Sequence, residues 1–198
     1  TNVRDGLARP HDGPSRGALP TTFLDGAMDP AAMTAELLAT ADAYAPFNLM
    51  LADADDCWHL GNHPRQREAL AAGVHGISNG RLDAPWPKTR HLADALQAWV
   101  DAGDDHLQPL WDALADERPA ADAELPDTGV GLELERRLSP VFIRGETYGT
   151  RASTIIAVVA STASTRRKPP EIAAPMSVGI ALLLACAPVS RSPMSRTS

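Results

Sequence analysis

FNLMLADADDCWHL, residues 47–60, is two short apolar runs on either side of an acidic turn. Runs of this length, bounded by turn residues, read as buried strands. Phe47–Ala52 and Cys57–Leu60 are therefore expected to pair as a hairpin around Asp53–Asp56. Upstream, residues 30–44 carry Met33, Leu37, Leu38, Ala41 and Tyr44 at helical spacing, with Asp29 placed to cap a helix that starts at Pro30. Downstream, Val74–Ser78 reads as a short strand ending at the turn pair Asn79-Gly80. Pro85-Trp86-Pro87 opens a helix bearing Leu92, Leu96, Trp99 and Val100. Asp104 or Asp105 caps a second helix bearing Leu107, Leu110, Trp111 and Leu114. Residues 1–22 and 118–128 read as loop, 131–138 as a short helix, and 141–144 and 151–159 as strands around Tyr148-Gly149. Helices mixed with hairpin strands make the fold class α/β (α+β), layered, with antiparallel pairing.

Composition narrows the function. The chain has 198 residues, 44% hydrophobic and 22% charged, which is globular. Aromatics are 5%, so Leu, Ala and Val should build the core, with Trp58, Trp86, Trp99 and Trp111 as its large pieces. A net charge of −7 argues against nucleic acid as a partner. Cys57 and Cys186 form no CxxC pair, so neither a disulfide framework nor a zinc site is indicated. The longest apolar run, Val178–Ala187, is about half of what a membrane span needs. The expectation is a soluble, cytoplasmic protein in a reducing compartment. Charge also divides the chain: residues 1–159 carry 13 basic and 24 acidic groups, whereas 160–198 carry five basic and one acidic. We read 1–159 as the folded domain. Residues 160–198 read as a basic Ser/Pro-rich tail, largely disordered, whose apolar stretch docks as a helical turn.

No motif stands out as catalytic. Asp53, Asp55 and Asp56 lack cation-loop spacing and read as a solvated turn. The six histidines, His11, His59, His63, His75, His91 and His106, show no metal-binding pattern, and His75 reads as a core histidine. Ser15, Ser78 and Ser153 lie in no nucleophile motif, and Thr1 reads as an ordinary residue rather than an N-terminal nucleophile.

Nine strings in order carry a resemblance: TNVRD (1–5), SRG (15–17), YAPFNLMLAD (44–53), WHLGN (58–62), GVHGISN (73–79), LDAPWPK (82–88), LPDTGVG (125–131), LSPVFIRG (138–145) and YGTRAST (148–154). Together they resemble the NRDE family, that of the transport and Golgi organisation protein 2 homologues. The resemblance implies an αββα sandwich like that of the N-terminal nucleophile hydrolases. It also implies that this chain is truncated in front, without the Cys that would be the nucleophile, and altered behind, by a frameshift or fragmentary gene model. Asn2 and Asn79 match positions that would help hold an oxyanion or substrate. Arg151 would orient a nucleophile or bind a carboxylate. Arg4, Asp5 and His75 are weaker pocket candidates, a local Arg4–Asp5 pair being the plain alternative for the first two. The favoured function is binding or trafficking of a small amphipathic ligand, haem or an acyl/lipid-like molecule, linked to Golgi or membrane homeostasis. His75 or His59 would be the axial ligand if haem binds, and no cofactor is required. The alternatives are an N-terminal-cysteine amidohydrolase missing its nucleophile, for which Cys57 is no substitute, and a non-functional fragment.

Overall fold

The computed structural model describes residues 1–6, 11–53, 55–103, 106–156, 182–183 and 186–188. The hairpin forms as the sequence predicts. Strands β1 (Asn48–Ala52) and β2 (Cys57–Asn62) pair antiparallel with Leu51 opposite Trp58. The acidic turn closes on itself, because Asp53 Oδ1 accepts from the N–H groups of Asp55 and Asp56, both at 2.9 Å. Those two bonds hold the Asp53 carboxyl below its ordinary range.

A third strand was not expected. β3 (Arg65–Ala69) pairs antiparallel with β2 to give the order β1-β2-β3. Helix α1 (Ala18–Asp25) replaces the loop expected over 1–22, and its Leu19 is buried with Ala41, Phe47 and Leu60. Helix α2 (Pro30–Thr40) begins where predicted, the Asp29 carboxylate accepting from Ala32 N–H at 2.7 Å. It packs against all three strands of the sheet.

The segment 74–78 yields only β4 (Gly76–Ile77). Beyond it, α3 (Pro87–Ala102), ending at the left-handed Gly103, packs on α4 (Gln108–Leu114). Their apolar faces bury Leu92 and Leu114 with Val141, and Leu96 with Leu110. Leu107 is the residue preceding α4, and the expected caps Asp104 and Asp105 lie outside the described residues. Helix α5 (Leu132–Leu138) forms as read. The flanking strands do not: 141–144 is irregular, and β5 (Tyr148–Thr150) occupies the position read as a turn. Thr150 N–H donates to Ile143 O at 2.8 Å, so the two segments still meet, with Val141 and Ile143 buried as a strand would bury them. Residues 151–156 carry no strand, and 157–159 lie outside the described residues.

Five residues of the expected tail are described. β6 (Leu182–Leu183) pairs parallel with β4, and β7 (Cys186–Pro188) pairs antiparallel with β5. The apolar stretch docks as strands rather than as a helical turn; the rest of 160–198 lies outside the described residues. The tryptophans also differ from expectation. None is fully buried, and Trp111 is 40% exposed. Trp58 and Trp86 are half-buried beneath arginines, with Arg67 3.9 Å and Arg4 4.9 Å from the ring centroids. Leucines dominate the core, with Ala41, Ala113 and Val141 as expected, and Met33, Phe47, Ile77 and Ile143 take the place of the tryptophans.

Candidate functional site

The site is built on the first residues of the chain. Thr1–Val3 runs antiparallel to 46–48: Asn48 N–H donates to Thr1 O at 2.8 Å and Val3 N–H to Pro46 O at 3.2 Å. The other side of the segment is tied to the loop after β4. Arg4 N–H donates to Asn79 O at 2.7 Å, and Asn79 Nδ2 donates to Asn2 O at 3.0 Å. The Thr1 hydroxyl donates to Ser78 O at 2.7 Å. The segment is thus an extended stretch clasped on both sides, and its far end delivers Arg4 to a buried carboxylate. Arg4 Nη2 lies 2.8 Å from Glu135 Oε2, and the Glu135 side chain is 3% exposed. Glu135 Oε1 accepts from the Thr128 amide at 2.9 Å and its hydroxyl at 2.5 Å.

Beside this clasp opens a pocket of about 920 Å³. Its apolar wall includes Val3, Pro46, Val130, Leu134, Leu138 and Phe142. Six cations, Arg4, Arg16, Lys88, Arg136, Arg137 and Arg144, line it with two carboxylates, Asp5 and Glu117. Most of those cations are engaged. Arg136 is held by Asp122 at 2.8 Å and Glu133 at 2.6 Å. Arg144 grips both oxygens of Glu117, the shortest contact being 2.6 Å. These guanidinium bonds keep the carboxyls of Glu117 and Asp122 below their ordinary range. Arg16 donates to Pro46 O at 2.8 Å, and the buried Lys88 donates to Leu138 O at 3.0 Å. A concave, largely apolar space with a few fixed polar groups is the ordinary form of a small-molecule site.

The residues singled out from the sequence fall in three places. Asn2, Asn79, Arg4 and Asp5 all line the pocket. Arg4 and Asp5 do not pair with each other, because Arg4 pairs with Glu135 and Asp5 with His63 at 2.8 Å. Arg151, directly after β5, is exposed and lies outside the lining. His75 is also elsewhere, 2.8 Å from Asp83 Oδ2, and that bond raises its pKa. It is partly exposed rather than a core residue. The core histidine is His59, 1% exposed and 3.1 Å from Asn48 Oδ1. Cys57, in β2, is half-buried, and burial raises its thiol pKa. Reasoning from sequence missed Lys88, Glu135 and Arg137. All three sit in helical stretches where a charge ordinarily marks a solvated face. Only the apolar neighbours in LELERRL (132–138) hinted otherwise.

Fold and site together define a mixed α/β protein with a three-stranded antiparallel sheet and a basic, apolar-walled pocket edged by residues 2–6. Residues 1–166 match the model of the family described as Transport and Golgi organisation 2, and the chain belongs to that family. It is 30% identical over 160 residues to the transport and Golgi organization protein 2 homolog of Bos taurus, an alignment covering 72% of this chain and 57% of that protein. It is 27% identical over 171 residues to the transport and Golgi organization 2 homolog of Mus musculus, covering 76% and 59%. The human homolog matches at 30% over 164 residues. The chain thus spans somewhat under two thirds of the length of the curated relatives it matches. Among the described residues, no helix is long and apolar enough to cross a membrane.

Proposed function

We propose that the pocket takes up a small amphipathic ligand, haem or an acyl/lipid-like molecule, and holds it without cleaving it. The role fits transport, as the relatives' names suggest. One observation carries the reading: about 920 Å³ of space lined by Val, Leu, Pro and Phe side chains together with arginines. Such a wall removes an apolar body from water at roughly 25 cal/mol per Å², while the arginines receive an anionic end. Uptake needs no nucleophile, and the described lining holds no Ser, Thr or Cys. The αββα layering belongs to the same reading. Its support is the packing of α2 against all three strands of the sheet and of α1 against β1.

The experiment is a titration with haemin, followed by absorbance, and with a fluorescent fatty acid. Saturable uptake of at least one is expected, together with its loss in Val130→Trp, which fills the pocket from a half-buried lining position. Failure of both ligands to saturate overturns the proposal. Turnover of an acyl-amide substrate would favour hydrolysis instead.

A further inference from the structure

Helix α5 presents Leu134, Arg137 and Leu138 to the pocket at the spacing of one helical face. Arg137 differs from Arg4, Arg136 and Arg144 in charge balance. Arg4, Arg136 and Arg144 are each neutralised by a carboxylate, at 2.8, 2.6 and 2.6 Å at the closest. Arg16 and Lys88 donate to backbone carbonyls. Arg137 is exposed and makes no ion pair with any carboxylate among the described residues. It stands between two leucines that belong to the apolar wall.

From this juxtaposition we infer that Arg137 selects the ligand's charge: the pocket takes amphiphiles with a terminal anion, carboxylate or phosphate, and Arg137 receives that anion while Leu134 and Leu138 bear on the tail. This rests on the reading of the pocket as an amphiphile site and adds a chemical class and a residue to it. A planar guanidinium matches carboxylate and phosphate oxygens through two parallel N–H donors. An arginine already gripped by a carboxylate, such as Arg144 on Glu117, would have to give up that partner first.

The test uses calorimetry with decanoate, decyl phosphate and decanol, identical in tail and different in head. Wild type is expected to bind at least one of the two anions roughly tenfold or more tighter than decanol, the ratio a charge-assisted hydrogen bond supports. Arg137→Gln should remove that preference and leave the decanol affinity in place, and Arg137→Lys should restore part of it. The stronger of the two anions identifies the head group. Equal affinity of wild type for all three, or a preference that survives in Arg137→Gln, overturns the inference and leaves the pocket reading intact. Failure of all three to bind removes the pocket reading and the inference together. Arg137 is exposed, so folding of the variants is expected and is checked by circular dichroism.

Discussion

His59 sits in the sheet with Nε2 3.1 Å from Asn48 Oδ1 and Nδ1 3.5 Å from Glu68 Oε1. Burial lowers its pKa, and the nearby Glu68 opposes that only in part. The unfolded chain therefore takes up a proton near the ordinary value of about 6.5, before the folded chain does. Stability from this group is complete above that pH and falls as the pH drops toward the lower folded value. His75 works in the opposite sense. Its pKa is raised by Asp83, so its contribution is full below about pH 6.5 and is lost as the pH rises through the folded value. Chemical denaturation between pH 7.5 and 5 should show stability falling more steeply with acid in His75→Asn than in wild type, because the opposing contribution of His75 is gone. The slope should flatten in His59→Gln. Glu135 offers a sharper residue-scale case. Removing one partner of a buried ion pair strands the other, at roughly 3–5 kcal/mol. Glu135→Ala should lose about that much in urea unfolding, and adding Arg4→Leu to it should recover part.

At the scale of elements, β3 shows why a strand can hide in a sequence. RQREA carries no apolar alternation, so nothing in 65–69 signals burial. Its arginines do the packing instead. Arg67 stacks on Trp58, donates to Ala31 O at 2.8 Å and reaches Thr34 Oγ1 at 3.1 Å. Arg65 pairs with Asp42 at 2.8 Å and also donates to Leu38 O. The guanidinium stems bind the sheet to α2 in place of aliphatic side chains. Arg67→Ala should cost roughly 1–3 kcal/mol, the worth of a cation–π contact with hydrogen bonds, measured by thermal unfolding. Asp29→Ala, which removes the α2 cap, should cost about 1 kcal/mol. The first prediction fails if Arg67→Ala melts like wild type. Helices α2, α3 and α4 were legible because their apolar spacing, and the prolines that open α2 and α3, are local signals. Helix α1 was not, since Pro20 and the glycines around it read as breakers, and only Leu19 anchors it.

Across the whole molecule, a chain of net charge −7 keeps a pocket lined by six cations and two carboxylates. Anion binding there should weaken as salt rises from 0.05 to 0.5 M while decanol binding holds, because screening acts on charge and leaves apolar burial in place. Calorimetry at the two salt concentrations checks this, and equal salt response of both ligands would contradict it. What the sequence by itself determined was local: the 47–60 hairpin, three amphipathic helices, the first of them with its Asp29 cap, and the family, whose motifs lie in order along the chain. Of the residues the family resemblance singled out, Asn2, Asn79, Arg4 and Asp5 line one pocket, and Arg151 and His75 lie outside it. Only the tertiary structure decided which charges are buried and with whom. Arg4 meets Glu135 across more than a hundred residues, and Arg137 is left to the pocket while Arg136 beside it is taken by Asp122. Pairing of that kind depends on which surfaces the folded elements bring within a few ångströms of one another, and a linear pattern of charges carries no record of that distance.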